Sequence, residues 1–260
     1  MRTKKSLGQH FLKSERALAK IVEAGRVDKM DTVLEIGPGT GTLTEKLLAT
    51  SCQVLAVEKD DELYEILKIK FQEEIIKEKL TLVHDDILNF DLSKLTATSY
   101  KLIANIPYNI TGAIFKKFLE TGYQPTTMVL LVQKEVAQRI VTQDDKESIL
   151  SISVKVYGTP RYIETVKAGS FVPAPKVDST IIAIENISKK LFDGFTEEAF
   201  FKILKAGFKS KRKKLSSNLS TIFPKDRVWE TFQKLKLDEN LRAEDVDIAT
   251  WKQLVVSLKN

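Results

Sequence analysis

Short apolar runs, rich in β-branched residues, recur through the first half of the chain with stretches of helical spacing between them. The runs are Val33-Leu34-Glu35-Ile36, Val54-Leu55-Ala56-Val57, Leu80-Thr81-Leu82-Val83, Leu102-Ile103-Ala104 and Met128-Val129-Leu130-Leu131-Val132. Between them, sets such as Leu43, Leu47, Leu48 and Leu63, Ile66, Leu67, Phe71 lie three and four residues apart, as on one face of a helix. Strands joined through helices pair in parallel, because a parallel pair needs a long crossover. Right-handed crossovers then place helices on both faces of the sheet. The fold class is α/β.

Two later runs, Arg161 to Val166 and Ser179 to Glu185, have no long helical pattern between them, only Phe171-Val172-Pro173-Ala174-Pro175. They are expected to close the sheet as an antiparallel pair. From about Lys189 the pattern is helical throughout, with segments near 196–208, 211–222, 225–235 and 246–258. The boundary falls between Ile187 and Gly194, giving an α/β domain over 1–188 and a small all-helical domain over 189–260.

The charge follows the same boundary. Residues 1–188 hold 25 Lys and Arg against 25 Asp and Glu, whereas 189–260 hold 16 against 10. A neutral body with a basic appendage suits a polyphosphate partner, since neutralising phosphates releases counterions and gives sequence-independent affinity. Lys205, Lys209, Lys211, Arg212, Lys213 and Lys214 put six cations within ten residues of a segment expected to be helical. Their mutual repulsion points to an anionic partner. A-form RNA hides its base edges in a narrow groove, so such a patch would read backbone and shape while an unpaired loop supplies a base. The helical domain is thus expected to dock RNA, and the α/β domain to do the chemistry.

The first strand runs into Glu35-Ile36-Gly37-Pro38-Gly39-Thr40-Gly41, followed by a helix. Glycines there allow a ligand to approach the backbone and the chain to turn sharply, the Rossmann-like nucleotide site. The dinucleotide fingerprint needs a third glycine three positions after the second, and Thr42 stands there. The alternating form behind an acidic residue suits a cationic cofactor, with Gly37 and Gly39 against it. Glu58, ending the second strand, is placed to take both ribose hydroxyls, and Asp86, after the third, to accept from an adenine amino group. A nicotinamide-dependent dehydrogenase remains the alternative.

The fourth strand ends in Asn105-Ile106-Pro107-Tyr108. A planar amino nitrogen is a poor nucleophile because its lone pair is delocalised. The Asn105 side-chain oxygen and the Ile106 carbonyl could hold both amino hydrogens and favour the tetrahedral geometry needed for attack. Pro107 fixes φ and aims that carbonyl, while Tyr108 offers a ring for stacking on a base and for facing a cation. Cytosine, adenine and glutamine amides all remain open as acceptors. Phe171 is a candidate second stacking surface for an extruded base.

Cys52 is the only cysteine and His10 and His84 the only histidines, so neither a disulfide nor a His/Cys metal cluster is expected. No apolar run is long enough to cross a bilayer, and Met1-Arg2-Thr3-Lys4-Lys5 does not lead into a signal core. The expectation is a cytoplasmic, metal-free monomer.

These residues together resemble the KsgA family of small-subunit ribosomal RNA adenine dimethyltransferases. Ser6-Leu7-Gly8-Gln9-His10-Phe11-Leu12 is similar to the family's G-Q-[NH]-F-L segment, Asn105-Ile106-Pro107-Tyr108 to its N-[LI]-P-Y motif, and Phe171 to Ser179 to its F-x-P-x-P-x-V-D-S stretch. The resemblance implies a methyltransferase sheet using S-adenosylmethionine, with Gln9, His10 and Leu12 lining the cofactor and Asn105 touching it. It also implies dimethylation at N6 of two adjacent adenines in the 3′-terminal hairpin loop of small-subunit rRNA, within an immature small subunit. The related Erm enzymes, which act on large-subunit RNA, share the catalytic half. Phe208-Lys209-Ser210-Lys211-Arg212-Lys213-Lys214-Leu215 with Asn218-Leu219 is similar to the KsgA run F-x-x-R-R-K-x-L-x-N-x-L, and Leu241-Arg242-Ala243-Glu244 contains its R-A-E segment. Those stretches separate the two groups; a non-catalytic assembly factor on the same fold is the other alternative. Two departures stand out: Glu147-Ser148 where the family commonly has Tyr-Gly, and Lys211 in place of the first arginine of the basic run, which keeps charge and loses bidentate geometry.

Overall fold

The computed structural model describes residues 9–95, 97–141 and 146–259. Ser6-Leu7-Gly8 of the opening motif lie outside them. The chain divides into two compact units, one comprising the residues up to Ala137 with Thr159–Ile187, the other Gln138–Gly158 with the residues from Ser188 on.

The first unit opens with β1 (Phe11–Leu12) and α1 (Glu15–Ala24). Then come β2 (Thr32–Ile36), α2 (Thr42–Leu48), β3 (Gln53–Glu58), α3 (Asp61–Lys70), α4 (Gln72–Ile76), β4 (Leu80–His84), β5 (Lys101–Asn105), α5 (Thr111–Leu119) and β6 (Thr127–Gln133), with helices between the strands except from β4 to β5, where among the described residues a single 3-10 turn at Leu92–Lys94 lies on the connection. The division between the units falls inside α6 (Lys134–Val141), and α7 (Ile149–Lys155) follows it. β7 (Thr159–Val166), β8 (Phe171–Val172) and β9 (Ser179–Glu185) return to the first unit.

The main sheet has the order β4-β3-β2-β5-β6-β9-β7. Its first five strands are parallel, and β9 runs antiparallel to both β6 and β7. Continuous burial of Val33 to Ile36 and of Met128 to Val132 explains why β6 reads as an unbroken apolar run and β2 as one interrupted only by Glu35: helices cover both faces. The chain leaves β2 for β3 on one side and comes back to β5 on the other. The sheet therefore has its switch point between β2 and β5, where ligands bind beyond the strands' carboxyl ends. β1 pairs with β8 in a separate two-stranded ribbon, with Leu12 opposite Phe171. Strands of two residues carry no periodicity, and the sequence pattern did not mark them.

Gly41 caps α2 in the left-handed region at φ +79°, and a Cβ there would lie 2.5 Å from the Phe71 ring. Gly41→Ala meets strain and clash together, and is expected to destabilise the fold by about 2–3 kcal/mol, read as a lower urea midpoint. An unchanged midpoint would mean that Phe71 moves freely.

The second unit adds α8 (Glu197–Gly207), α9 (Leu215–Leu219), α10 (Lys225–Lys234) and α11 (Ile248–Lys259). Trp251, Phe200, Leu204, Leu215, Leu219 and Leu254 are buried in it. A division at residue 188 leaves 138–158 with the α/β sheet, but the structure groups that segment with the C-terminal helices. The Tyr157 hydroxyl donates to Glu197 at 2.7 Å, Glu147 N donates to the Glu244 carbonyl at 2.8 Å, and Lys146 pairs with Asp245.

The basic run is a second correction. The expected helix over 211–222 is confined to Leu215–Leu219, and residues 208–214 form a turn-rich loop. A helix would stack Lys209 on Lys213 and Lys211 on Lys214 at spacings where like charges repel. Asn218, buried, also donates its side-chain amide to the carbonyls of Gly207 at 2.6 Å and Ser210 at 3.0 Å, satisfying groups left over where α8 stops.

Candidate active site

A cleft of about 1050 Å³, open mouth included, lies at the carboxyl ends of β2, β3 and β5. Gln9, His10 and Leu12 line it from the start of the chain, Gly37 and Gly39 from the loop after β2, Glu58 from the end of β3 and Asp86 from beyond β4. Asn105, Ile106, Pro107 and Tyr108 line it from the end of β5. Residues nearly 100 positions apart in sequence thus meet in one place.

Glu58 organises the loop. Its Oε2 accepts from Gly39 N at 3.0 Å and its Oε1 from Lys59 N and Asp60 N, both at 2.9 Å. Three of the carboxylate's roughly four acceptor positions are taken by backbone amides. Burial pushes its pKa up, and these three bonds pull against that. Gly39 itself sits at φ +61°, where a Cβ would press on the Phe11 ring at 3.1 Å. Asp86 accepts from Lys59 Nζ at 2.8 Å and Leu88 N at 2.9 Å, and Lys59 holds its carboxyl below the usual range. Gln9 Nε2 donates to Asp60 at 3.1 Å.

Glu35, the acid before the glycine loop, also lines the cleft. It is 1% exposed, accepts from Thr44 Oγ1 at 2.7 Å, and lies near Glu58. Burial pushes its pKa up to about 8, Thr44 opposes this, and Glu58 adds to it. The folded protein therefore keeps a proton that the unfolded chain loses above about 4.5. Its contribution to stability is complete below pH 4.5 and is lost as pH rises to about 8. Glu35→Gln should accordingly melt close to wild type near pH 4.5 and increasingly above it towards pH 8, by a few kcal/mol. A melting difference that does not change with pH would contradict a buried, protonated Glu35.

At the end of β5, Asn105 Nδ2 donates to the His10 carbonyl at 3.1 Å. Among the described residues its Oδ1 has no donor, and neither has the Ile106 carbonyl. Ile106 is otherwise buried, so only its backbone is on offer. Pro107 sits at φ −58°, and the turn passes through Tyr108 into α5. The Tyr108 hydroxyl shares a 2.6 Å hydrogen bond with Ser179 Oγ, the first residue of β9, which running antiparallel brings its start to the cleft end of the sheet. Burial pushes the Tyr108 phenol pKa up, so it stays protonated. The His10 ring lies nearly parallel to the Tyr108 ring, with centroids 6.0 Å apart, and its Nδ1–H donates to the Pro173 carbonyl at 2.7 Å.

Phe171 is not a stacking surface in this structure. It is 2% exposed and belongs to the core with Leu12, Leu18 and Ile181. In β8 its side chain faces inward and Val172 faces out. The six basic residues lie in the second unit, and all six side chains are exposed. None has a carboxylate partner among the described residues. Also among the described residues, no helix is long and apolar enough to cross a membrane, and no cluster of three or more His, Cys, Asp or Glu could hold a metal ion.

A switch-point cleft with a glycine loop on β2 and an Asn-x-Pro-Tyr turn on β5 defines a Rossmann-like methyltransferase. The family model described as ribosomal RNA adenine dimethylase matches residues 1–260, so the chain belongs to the ribosomal RNA adenine dimethylase family. Ribosomal RNA small subunit methyltransferase A of Dehalococcoides mccartyi is 39% identical over 258 residues, 98% of this chain and 88% of the relative. The protein of the same name in Fusobacterium nucleatum is 38% identical over 256 residues, 97% and 96% of the two chains. Among solved structures, a dimethyladenosine transferase from Plasmodium falciparum superposes with a TM-score of 0.81 at 26% identity, covering 94% of this chain and 96% of that one. The 23S rRNA methyltransferase ErmE superposes at 0.77 with 25% identity, covering 96% and 100%. Membership makes the protein an rRNA methyltransferase and sets the dehydrogenase alternative aside.

Proposed function

We propose that the protein dimethylates N6 of two adjacent adenines in the 3′-terminal hairpin loop of small-subunit rRNA, using S-adenosylmethionine, on an immature small subunit in the cytoplasm. The observation that carries this is the pair of unpartnered acceptors, Asn105 Oδ1 and the Ile106 carbonyl, beside the Tyr108 ring. An exocyclic amino group has two hydrogens to give, and here are two oxygens to receive them.

The cleft's own chemistry fits the cofactor. Glu35 is buried at the cost of its charge, and a cation bound beside it would restore the carboxylate. The Gly39 backbone is open where a side chain would meet Phe11. Glu58 offers its remaining acceptor position to a ribose hydroxyl; holding both would require sharing one of its backbone bonds. Asp86 accepts from the adenine amino group, and Gln9, His10 and Leu12 line the same cleft. When bound, S-adenosylmethionine supplies an electrophilic methyl carbon on a sulfonium.

Asn105 and the Ile106 carbonyl hold the amino hydrogens and draw the nitrogen towards tetrahedral geometry as positive charge develops on it. Tyr108, fixed by Ser179, stacks on the target base. No strong base is required, because the methylated ammonium is acidic enough to lose its proton readily. Positioning does most of the catalysis. The exposed loop 208–214, with Lys205, Lys209, Lys211, Arg212, Lys213 and Lys214, binds RNA phosphates.

Small-subunit RNA is favoured over the Erm-type target by the relatives named small subunit methyltransferase A, at 38–39% identity against 25% for ErmE. The test is incubation with labelled S-adenosylmethionine and immature small or large subunits. Label in adenine of small-subunit rRNA is expected. Label in large-subunit rRNA alone would establish the Erm-type reading, and cofactor binding without any label an assembly factor.

A further inference from the structure

Against His10, which lines the cleft, the loop from β8 to β9 turns apolar side chains outward. Val172 is 46% and Val177 45% exposed. Pro173 and Ala174 are exposed as well, so three consecutive apolar residues face solvent. Surfaces avoid such runs unless something covers them. The loop is also held firmly. β8 is paired with β1, Phe171 and Pro175 are buried, and Asp178 accepts from Ala168 N at 3.0 Å and Lys167 Nζ at 2.9 Å.

Two contacts join this loop to the transfer site. The Pro173 carbonyl accepts from the His10 ring, and that ring lies alongside Tyr108. Pro173, in the middle of the apolar run, is therefore tied to the ring that lies alongside Tyr108. In the same loop Lys176 is exposed and has no acidic partner among the described residues.

We infer that this loop is a subsite for the purine next to the target adenine, with Val172, Pro173, Ala174 and Val177 against the base and Lys176 on a backbone phosphate. The inference rests on the proposed reaction at adjacent adenines. A base leaves its strand at the cost of stacking, and contact with its neighbour offsets part of that cost. Unpaired bases are held by their flat faces and the strand by cations. An apolar rim also suits a neighbour that changes between rounds. That adenine carries two amino hydrogens before its own methylation and none after. A hydrogen-bonding subsite would reject one of the two forms, whereas an apolar one accepts both.

Val172 is exposed, so its replacement leaves the core intact. Small subunits reconstituted with 2-aminopurine beside the target adenine report transfer of that base from water to an apolar surface through fluorescence quenching. Val172→Ser is expected to raise KM for the subunits about five- to tenfold and to reduce the quenching. Turnover at saturation and cofactor affinity should stay at wild-type values. Val172→Phe should restore binding or tighten it. Wild-type KM and quenching in the Val172→Ser protein would overturn the subsite, as would a change from dimer to monomer on sedimentation, which would assign the patch to a second copy. Wild-type methylation of the same subunits is the control: insensitivity to Val172→Ser with methylation intact overturns the subsite alone, and no methylation overturns the proposed reaction and the subsite with it.

Discussion

Asn105→Ala should turn over a hundred to a thousand times more slowly than wild type, a loss of roughly 3–4 kcal/mol of transition-state stabilisation, with cofactor affinity nearly unchanged. The side chain has two ends with separate tasks. Its nitrogen is committed to the His10 carbonyl at 3.1 Å, and its oxygen has no donor within the described chain. Charge develops on the amino nitrogen only as the methyl carbon is attacked, so an oxygen held against its hydrogens acts mainly in the transition state. The loss should therefore appear in kcat more than in KM. Asn105→Asp sharpens the test. It keeps an acceptor oxygen but turns the donor end into a second oxygen facing the His10 carbonyl, so it should fail partly through displacement of residues 9–12. A wild-type rate for Asn105→Ala would make Asn105 a structural residue and remove the central element of the mechanism.

The second large effect concerns RNA. Replacing Lys205, Lys209, Lys211, Arg212, Lys213 and Lys214 together by glutamine should weaken RNA binding by about a thousandfold at low salt. It should also flatten the slope of log affinity against log salt by about four to five, since each phosphate contact contributes roughly 0.7–0.9. Cofactor binding should be unchanged. These side chains are exposed and make no ion pairs among the described residues, so their removal costs the fold little. Deleting residues 190–260 is a poorer test. It would strip Glu197 from the Tyr157 hydroxyl and Asp245 from Lys146, leaving buried Ile152, Val154, Val156 and Tyr157 without their unit. An unchanged salt slope in the six-residue variant would place the RNA elsewhere on the protein.

The sheet was legible because its central strands β2, β5 and β6 are buried through their length and helices of regular period follow β2, β3, β5 and β6. So were the glycine loop and the Asn105 turn, where residue types at close spacing carry the chemistry. Contacts between distant positions were not legible. Nothing near Ser179 indicates that its hydroxyl meets Tyr108, because that depends on β9 entering the sheet antiparallel beside β6. Phe171 reads equally well as a stacking ring or a core residue, and its burial follows from pairing with Leu12 in a ribbon too short to show a pattern. The basic run reads as helix by composition. Its loop depends on a buried amide, Asn218, reaching back across the turn to two carbonyls. Glu35 shows only as an acid in a motif, and its raised pKa is a product of complete burial.

The central claim, methyl transfer to adjacent adenines of small-subunit rRNA through Asn105, is tested most directly by mass spectrometry of that rRNA from cells lacking the gene. Nuclease fragments from the 3′-terminal hairpin should lack two dimethyladenosines, regain them with the wild-type chain, and stay unmethylated with Asn105→Ala. Fragments still carrying both dimethyladenosines in the cells without the gene, or regaining them with Asn105→Ala, would contradict it.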